Sequence, residues 1–115
     1  MDLHYKELEG GIHLVTLRGK LDIHGVSDIE KDLTTHAAGE RVALLVDFSQ
    51  VDYIASIGIR LLLMTAKALK SRGGRMMILG AVPLVEEVLV LSGISQIIPL
   101  HADLGSATAS LTNPA

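Results

Sequence analysis

Two short runs of strand-like sequence, residues 3–8 and residues 12–17, lie on either side of Gly10 and Gly11. Glycine reaches the positive φ angles of a tight turn without steric cost, and such a turn between two strand-like runs is typical of a β-hairpin. The pattern therefore predicts that the fold opens with a pair of antiparallel strands.

Apolar residues with helical spacing follow the hairpin. Val26, Ile29 and Leu33 recur at i, i+3 and i+7, whereas most of the charged residues between them fall on the opposite side. This spacing predicts an amphipathic helix over residues 25–36. Three further helices are predicted at residues 57–72, 84–91 and 103–111.

The boundaries of these helices rest on residues with known terminal preferences. Gly73 and Gly74 end the second helix, behind basic residues that suit the negative end of the helix dipole. Pro83 begins the third helix, because its missing N–H is not needed in a first turn. Asp103 is the predicted N-cap of the last helix.

Apolar runs of strand length alternate with the predicted helices, at residues 42–46, 76–79 and 97–98. The first two are typical of strands buried on both faces, and residues 47–53 are expected to turn the chain. The order β-β-α-β-α-β-α-β-α predicts one α/β domain over residues 1–112, with a tail at 113–115. Its mixed β-sheet would combine an N-terminal hairpin with parallel βαβ units, covered by about four helices.

The composition narrows the classes of function. Apolar residues make up 49% of the 115 residues and aromatic residues only 3%, so the core is aliphatic and a base-stacking RNA reader is not expected. The absence of cysteine excludes disulfides, thiolate zinc sites and a cysteine nucleophile. A net charge of −3 does not favour nucleic-acid binding. With no apolar run near the ~20 residues of a membrane span and no signal-like N-terminus, we expect a cytoplasmic protein.

Ser56 is the residue most open to a functional interpretation. It lies at a predicted junction between a strand and a helix, where its side chain is expected to act as the N-cap. The same helix terminus would also stabilise a phosphate ester on a nearby hydroxyl, because free N–H groups and the helix dipole favour an anion there. Both interpretations stay open at this point.

An enzymatic interpretation of Ser56 is disfavoured. The sequence Ile-Ala-Ser-Ile-Gly at residues 54–58 is similar to the Gly-x-Ser-x-Gly turn of α/β-hydrolases, but Ile54 replaces the first glycine. Glu86 or Glu87, followed by His101, gives the chain order of a catalytic triad, as any downstream pair would. The five histidines show no metal-ligand spacing, and no cofactor-binding motif is present. We therefore expect a protein that is not an enzyme and needs no metal or cofactor.

Basic residues dominate one stretch of the chain. Between Tyr53 and Val85 there is no acidic residue, but there are five basic ones: Arg60, Lys67, Lys70, Arg72 and Arg75. Arg60 and Lys67 are seven residues apart and thus share one stripe of the predicted helix. The stretch is either a solvated helix face with cations near its C-terminus or a docking face for an acidic partner surface.

The junction around Ser56 carries a family resemblance. The sequence LLVDFSQVDYIASIGIRLLL at residues 44–63 resembles the central signature of STAS domains, a family that includes bacterial anti-sigma-factor antagonists and the cytoplasmic tails of sulfate transporters. Gly-Lys-Leu-Asp at residues 19–22 resembles the family's Gly-x-Leu-Asp after the second strand. Gly-Gly-Arg at residues 73–75 and the proline at 83 also fall in the expected order, so the resemblance spans nearly the whole chain and implies a single STAS-like domain.

The resemblance implies a partner and a switch. Antagonists of this family bind an anti-sigma factor that is a serine kinase of histidine-kinase-like fold, which frees a sigma factor, and the kinase phosphorylates a hydroxyl immediately before the signature glycine. That position is Ile57 here, which accepts no phosphate, and Ala55 stands where the family often has Asp or Ser. Either Ser56 has taken over as phosphoacceptor or the domain binds without phosphoregulation. We expect the second, because an N-cap serine already has a structural role.

The sequence thus predicts a non-catalytic module for protein–protein interaction in a partner-switching pathway. The residues expected to contact the partner surround the signature glycine: Asp22, Ser49, Ser56, Ile57, Gly58 and Arg60. Ile57 either joins an apolar patch with Ile59 or Tyr53, or packs inward against Val82 or Leu84. The alternatives are a subunit that binds the ATPase of a transport system and, less favoured, a small serine hydrolase that uses Ser56.

Overall fold

The computed structural model describes residues 1–112 as a five-stranded sheet covered by four α-helices. The strands are β1 (Asp2–Leu8), β2 (Ile12–Leu21), β3 (Ala43–Ile54), β4 (Arg75–Leu79) and β5 (Leu100–His101). The helices are α1 (Ile23–His36), α2 (Ser56–Ser71), α3 (Pro83–Leu91) and α4 (Leu104–Thr112), with 3-10 turns at Glu9–Gly11 and Ile94–Gln96. This order confirms the predicted alternation of elements. The predicted tail at 113–115 lies outside the described residues.

The sheet has the spatial order β1-β2-β3-β4-β5, in which β1 and β2 are antiparallel and all other neighbours are parallel. Gly10 and Gly11, with φ angles of 76° and 75°, form the predicted hairpin turn. The mixed sheet is therefore confirmed. Because β2 to β5 are parallel, their carboxyl ends meet at one edge of the sheet, and this edge is where α1, α2 and α3 begin.

The two faces of the sheet pack against different helices. The larger core joins α1, α2 and α3 to one face, and the alternate side chains Leu44, Val46 and Phe48 of β3 are completely buried in it. On the other face, Leu45 of β3 packs in a smaller cluster with Ala107 of α4. No helix in residues 1–112 is long and apolar enough to cross a membrane.

The prediction of a turn at residues 47–53 was wrong. β3 continues to Ile54, and it pairs with β2 as far as Ile54 opposite Leu21. The polar residues of this segment are tolerated because β4 pairs with β3 only up to Asp47, so the far part of β3 borders solvent. The pairing of β2 with β3 also has register irregularities, and the buried side chains of Phe48, Val51 and Ile54 are three residues apart. The alternation of buried and exposed residues that is typical of a strand is therefore missing from this part of the sequence.

The last strand was also placed too early. Ile98 is fully buried, but its N–H donates to the Ile94 carbonyl oxygen at 2.8 Å, as part of a helical turn. Pro99 has no N–H to donate, and the pairing with β4 begins at Leu100. Ile98 is therefore a core residue, the exposed Ile97 belongs to the connection, and the two-residue strand follows them.

Candidate functional surface

The starts of α1 and α2 lie side by side where β2 and β3 end. The Ala55 N–H donates to the carbonyl oxygen of Leu21 at 3.0 Å, which joins the end of β2 to the start of α2. We call the residues around this junction the carboxyl-end surface, defined by Asp22, Ile23, Tyr53, Ser56 and Arg60.

Gly58 permits the close contact of α2 with β2. A Cβ atom at position 58 would lie 2.7 Å from the Leu21 carbonyl oxygen and 2.8 Å from its Cγ, closer than real Cβ atoms approach. Gly58 is buried, so it supports the surface from beneath and offers no side chain to a partner. The structure gives Gly58 a packing role, and its predicted contact with a partner stays a prediction.

Ser56 does not cap α2, so its predicted role as N-cap is wrong. The helix begins at Ser56 itself, and Ala55, which has no polar side chain, occupies the cap position. The Ser56 side chain is exposed and forms no hydrogen bond with any residue in the described part of the chain. The first turn is closed by the N–H groups of Gly58 and Ile59, which donate to the Ala55 carbonyl oxygen at 2.9 and 3.1 Å. The hydroxyl is consequently free for other chemistry.

Asp22 caps the neighbouring helix α1. Its Oδ1 accepts a hydrogen bond from the N–H of Gly25 at 2.9 Å, and this bond holds the pKa of the Asp22 carboxyl below its ordinary value. The helix start was predicted at residue 25, but α1 begins two residues earlier, at Ile23. Asp22 thus has a structural role at the site where it was predicted to contact a partner.

Ile23 is the member of the carboxyl-end surface that sequence reasoning missed. Its side chain is 63% exposed in the first turn of α1. The residue is three positions before the buried Val26, so helical spacing assigns it to the buried face. Ile23 is the first residue of α1, and hydropathy alone does not show whether the first turn of a helix is covered by the rest of the fold.

The first turn of α2 places Ile57 between the core and the solvent. Ile57, Ile59 and Val82 are each half-buried against the larger core, whereas Leu84 is 76% exposed and takes no part. Of the proposed apolar patch, Tyr53 is the most exposed member, with 49% of its area exposed, and the partner contact predicted for Ile57 stays a prediction.

The tip of β3 is held by Lys20 of β2. The Lys20 Nζ lies 3.5 Å from an oxygen of Asp52 and 5.9 Å from the centre of the Tyr53 ring. Both contacts are exposed and therefore contribute little to stability.

Ser49 lies on the other side of the sheet. Its N–H donates to Oδ1 of Asp47 at 2.8 Å, and both residues line a cavity of about 240 Å³ with Asp103 and Leu104 at the start of α4. Since α2 packs against the opposite face, the structure does not bring Ser49 together with Ser56 and Arg60. Arg60 is exposed one turn after Ser56 and forms no ion pair within residues 1–112.

The structure does not assemble a triad around Ser56. Glu86 and His101 line one cavity of about 300 Å³ beside the start of α3, and Ser56 is absent from its lining. No hydrogen bond within the described chain joins Ser56 to a histidine or a carboxylate. Residues 1–112 also contain no group of three histidine, aspartate or glutamate side chains able to hold a metal ion.

Comparisons with known proteins agree with this architecture. A family model of the STAS domain matches residues 6–107. BtrV of Bordetella bronchiseptica, named as an anti-sigma factor antagonist, is 31% identical over 101 residues, which are 87% of this chain and 86% of that protein. The chain belongs to the STAS domain family.

Solved structures show the same fold in two kinds of protein. The crystal structure of an anti-sigma factor antagonist from Mycobacterium paratuberculosis superposes with a TM-score of 0.87 at 21% identity, covering 97% of this chain and 94% of that one. The STAS domain of a SulP transporter from Vibrio cholerae superposes with a TM-score of 0.74 at 21% identity, covering 91% and 84%. This chain has the STAS fold in a form that resembles the anti-sigma factor antagonists.

Proposed function

We propose that this protein is an anti-sigma-factor antagonist that binds an anti-sigma factor through the carboxyl-end surface, without catalysing a reaction. The partner proposed is a serine kinase of histidine-kinase-like fold in a partner-switching pathway. The 31% identity to a protein named as an anti-sigma factor antagonist, extending over most of both chains, supports this choice. The resemblance to a transporter domain concerns the fold alone.

The observation that carries the proposal is the free hydroxyl of Ser56 at the first position of α2. It is exposed, and no side chain caps the helix behind it. The hydrogen bond from Ala55 to Leu21 joins the start of α2 to the end of β2, and the exposed apolar side chains of Ile23 and Tyr53 belong to the segments on either side of this bond. Exposed apolar side chains beside a rigid helix start are suited to a partner interface, in which a few such residues supply most of the binding energy.

The proposal includes Ser56 as the regulatory phosphoacceptor in place of Ile57. We expected binding without phosphoregulation because Ser56 was to be the N-cap, but Ala55 occupies that position and the reason no longer holds. A phosphate on Ser56 would be stabilised by the N-terminus of α2 and by Arg60 one turn away. In a close interface, its added charge of about −2 would oppose binding through repulsion and desolvation.

The test is affinity capture from lysate of the host bacterium, with the immobilised wild-type domain, Ser56→Asp, and Thr35→Asp as control. Thr35 is an exposed hydroxyl residue in the last turn of α1, roughly 18 Å along the helix from Ile23, so its variant adds the same charge away from the carboxyl-end surface. We expect a kinase of histidine-kinase-like fold to be retained by the wild type and by Thr35→Asp, and lost with Ser56→Asp. With ATP, the captured kinase should phosphorylate the wild type and not Ser56→Ala, as read by intact mass.

Other outcomes would separate the parts of the proposal. Equal retention by all three proteins would contradict the switch at Ser56 and leave constitutive binding. A transporter ATPase in place of the kinase would favour the alternative of a transport-system subunit.

A further inference from the structure

A groove lies at the opposite end of α2 from Ser56. It has a volume of about 580 Å³ and runs between the last turns of α2, the start of β4 and the segment 96–99. We call it the basic groove, and the lining residues that matter here are Lys67, Lys70, Arg75, Gln96 and Ile97. With a rise of about 1.5 Å per residue, Lys70 lies roughly 21 Å along the helix from Ser56, so the groove is separate from the carboxyl-end surface.

The cations of the basic groove have no acidic neighbours. Lys67, Lys70 and Arg75 are exposed and form no ion pair with any residue in 1–112, and no lining residue of the groove is acidic. The absence of Asp and Glu between residues 53 and 85 explains this, because α2 and β4 both belong to that stretch. Three unpaired cations around one cavity attract an anionic ligand.

Stabilisation of the helix end does not explain all three cations. The Leu69 carbonyl oxygen accepts hydrogen bonds from the N–H groups of Arg72 at 3.0 Å and Gly74 at 2.8 Å, and the Lys70 carbonyl oxygen accepts one from Gly73 at 3.1 Å. Backbone donors therefore already satisfy carbonyls at the end of α2. The helix dipole favours Lys67 and Lys70 at this end, but Arg75 belongs to a strand.

The groove also offers an apolar contact. Ile97 is 54% exposed and lines the groove together with Pro99 and with Met76 and Met77 of β4. An apolar contact beside cations matches an acidic polypeptide segment that carries a hydrophobic side chain. A nucleic acid matches it less well, because its phosphate backbone requires a broader basic surface. The net charge of −3 over the whole chain also opposes nucleic-acid binding.

We propose that the basic groove is a second docking site, which binds an acidic segment of a partner protein with carboxylates flanking one apolar side chain. The carboxylates pair with Lys67, Lys70 and Arg75, and the apolar side chain contacts Ile97. This site does not depend on the proposed function of the carboxyl-end surface, and its failure would leave that proposal untouched.

The test is selection of a random peptide library on the immobilised protein, followed by fluorescence anisotropy with the selected peptides. We compare the wild type with Lys67→Gln/Lys70→Gln and with the matched control Lys6→Gln/Lys31→Gln, whose two lysines are exposed on β1 and α1. The selected peptides should combine Asp or Glu with an apolar residue. Their affinity should fall about tenfold in Lys67→Gln/Lys70→Gln and change less than about twofold in the control.

Two further measurements complete the test. Raising NaCl from about 50 to about 500 mM should weaken peptide binding to the wild type, because the pairs are exposed and screened. Ile97→Ser should weaken it without altering the salt dependence. The proposal would be overturned by a selection that enriches no acidic peptides, by equal losses in both lysine variants, or by a single-stranded oligonucleotide that displaces the peptide at lower concentration.

Discussion

Leu21 and Gly58 approach so closely that the Leu21 carbonyl oxygen would lie 2.7 Å from a Cβ atom at position 58. The same oxygen accepts the hydrogen bond of Ala55, so it is held in place and has little freedom to move aside. The carboxyl-end surface depends on this contact, because it sets how near the first turn of α2 lies to the end of β2.

Replacement of Gly58 by Ala should therefore destabilise the protein, although alanine is normally the better helix former. We expect a loss of about 1–3 kcal/mol in the free energy of unfolding, because the added methyl group overpacks against fixed backbone. Chemical denaturation followed by circular dichroism measures the loss. Gly105→Ala in α4 is the control, since a Cβ atom there would be 3.4 Å from its nearest neighbour and should leave stability unchanged or higher.

Much of this architecture could be predicted from local patterns. The hairpin at Gly10 and Gly11 and the start of α3 at Pro83 follow from backbone preferences of single residue types, and both were confirmed. The extent of β3 could not be predicted, because the polar sequence after Phe48 favours turns. Its strand conformation depends on pairing with β2, a contact between segments distant in the sequence.

The acid sensitivity of α1 should depend on Asp22. The hydrogen bond from Gly25 lowers the pKa of the Asp22 carboxyl in the folded state. The stability that the ionised Asp22 carboxyl gives the folded protein is therefore complete above the unfolded-state pKa of about 3.9. It is lost as the pH falls through the lower folded-state pKa. Asp22→Asn keeps a capping oxygen that does not titrate, so Tm at pH 7 should change by less than about 3 °C and fall less steeply below pH 4.

Asp32→Asn is the matched control for this measurement. Asp32 is exposed on the same helix and accepts no hydrogen bond within residues 1–112, so its replacement removes a charge and leaves the cap intact. Thermal unfolding of the three proteins from pH 7 to pH 2.5 gives the comparison. Parallel Tm profiles for Asp22→Asn and Asp32→Asn would contradict the assigned role of the Gly25 hydrogen bond.

The candidate surface was predictable only in part. The signature placed Ser56 and Arg60 at the start of α2, and the structure exposes both. The predicted start of α2 was one residue too late. Serine is preferred at the N-cap and alanine is not, so side-chain preference assigned the cap to Ser56, whereas Ala55 occupies it. The position of Ser49 near the start of α4, on the other face of the sheet from α2, could not be predicted because the segment 47–53 was expected to be a turn and not part of β3.

Ser56 should not react as a catalytic nucleophile. No histidine or carboxylate in the described chain is hydrogen-bonded to its hydroxyl, so nothing there activates the oxygen. Incubation with a fluorophosphonate probe should leave the intact mass unchanged, with a serine hydrolase labelled in parallel as the positive control. Stoichiometric labelling that disappears in Ser56→Ala would revive the hydrolase alternative.

Ile23 should be an energetic centre of the proposed interface. It is an exposed apolar residue beside the junction of Leu21 and Ala55, and an apolar side chain gains stability only when a partner covers it. Ile23→Ala should weaken binding of the captured kinase about tenfold, measured by calorimetry. Leu91→Ala is the matched control, because Leu91 is 79% exposed at the far end of α3 and should change the Kd by less than about twofold. Unchanged circular dichroism spectra would show that both variants fold, and equal Kd values for the two variants would remove Ile23 from the interface.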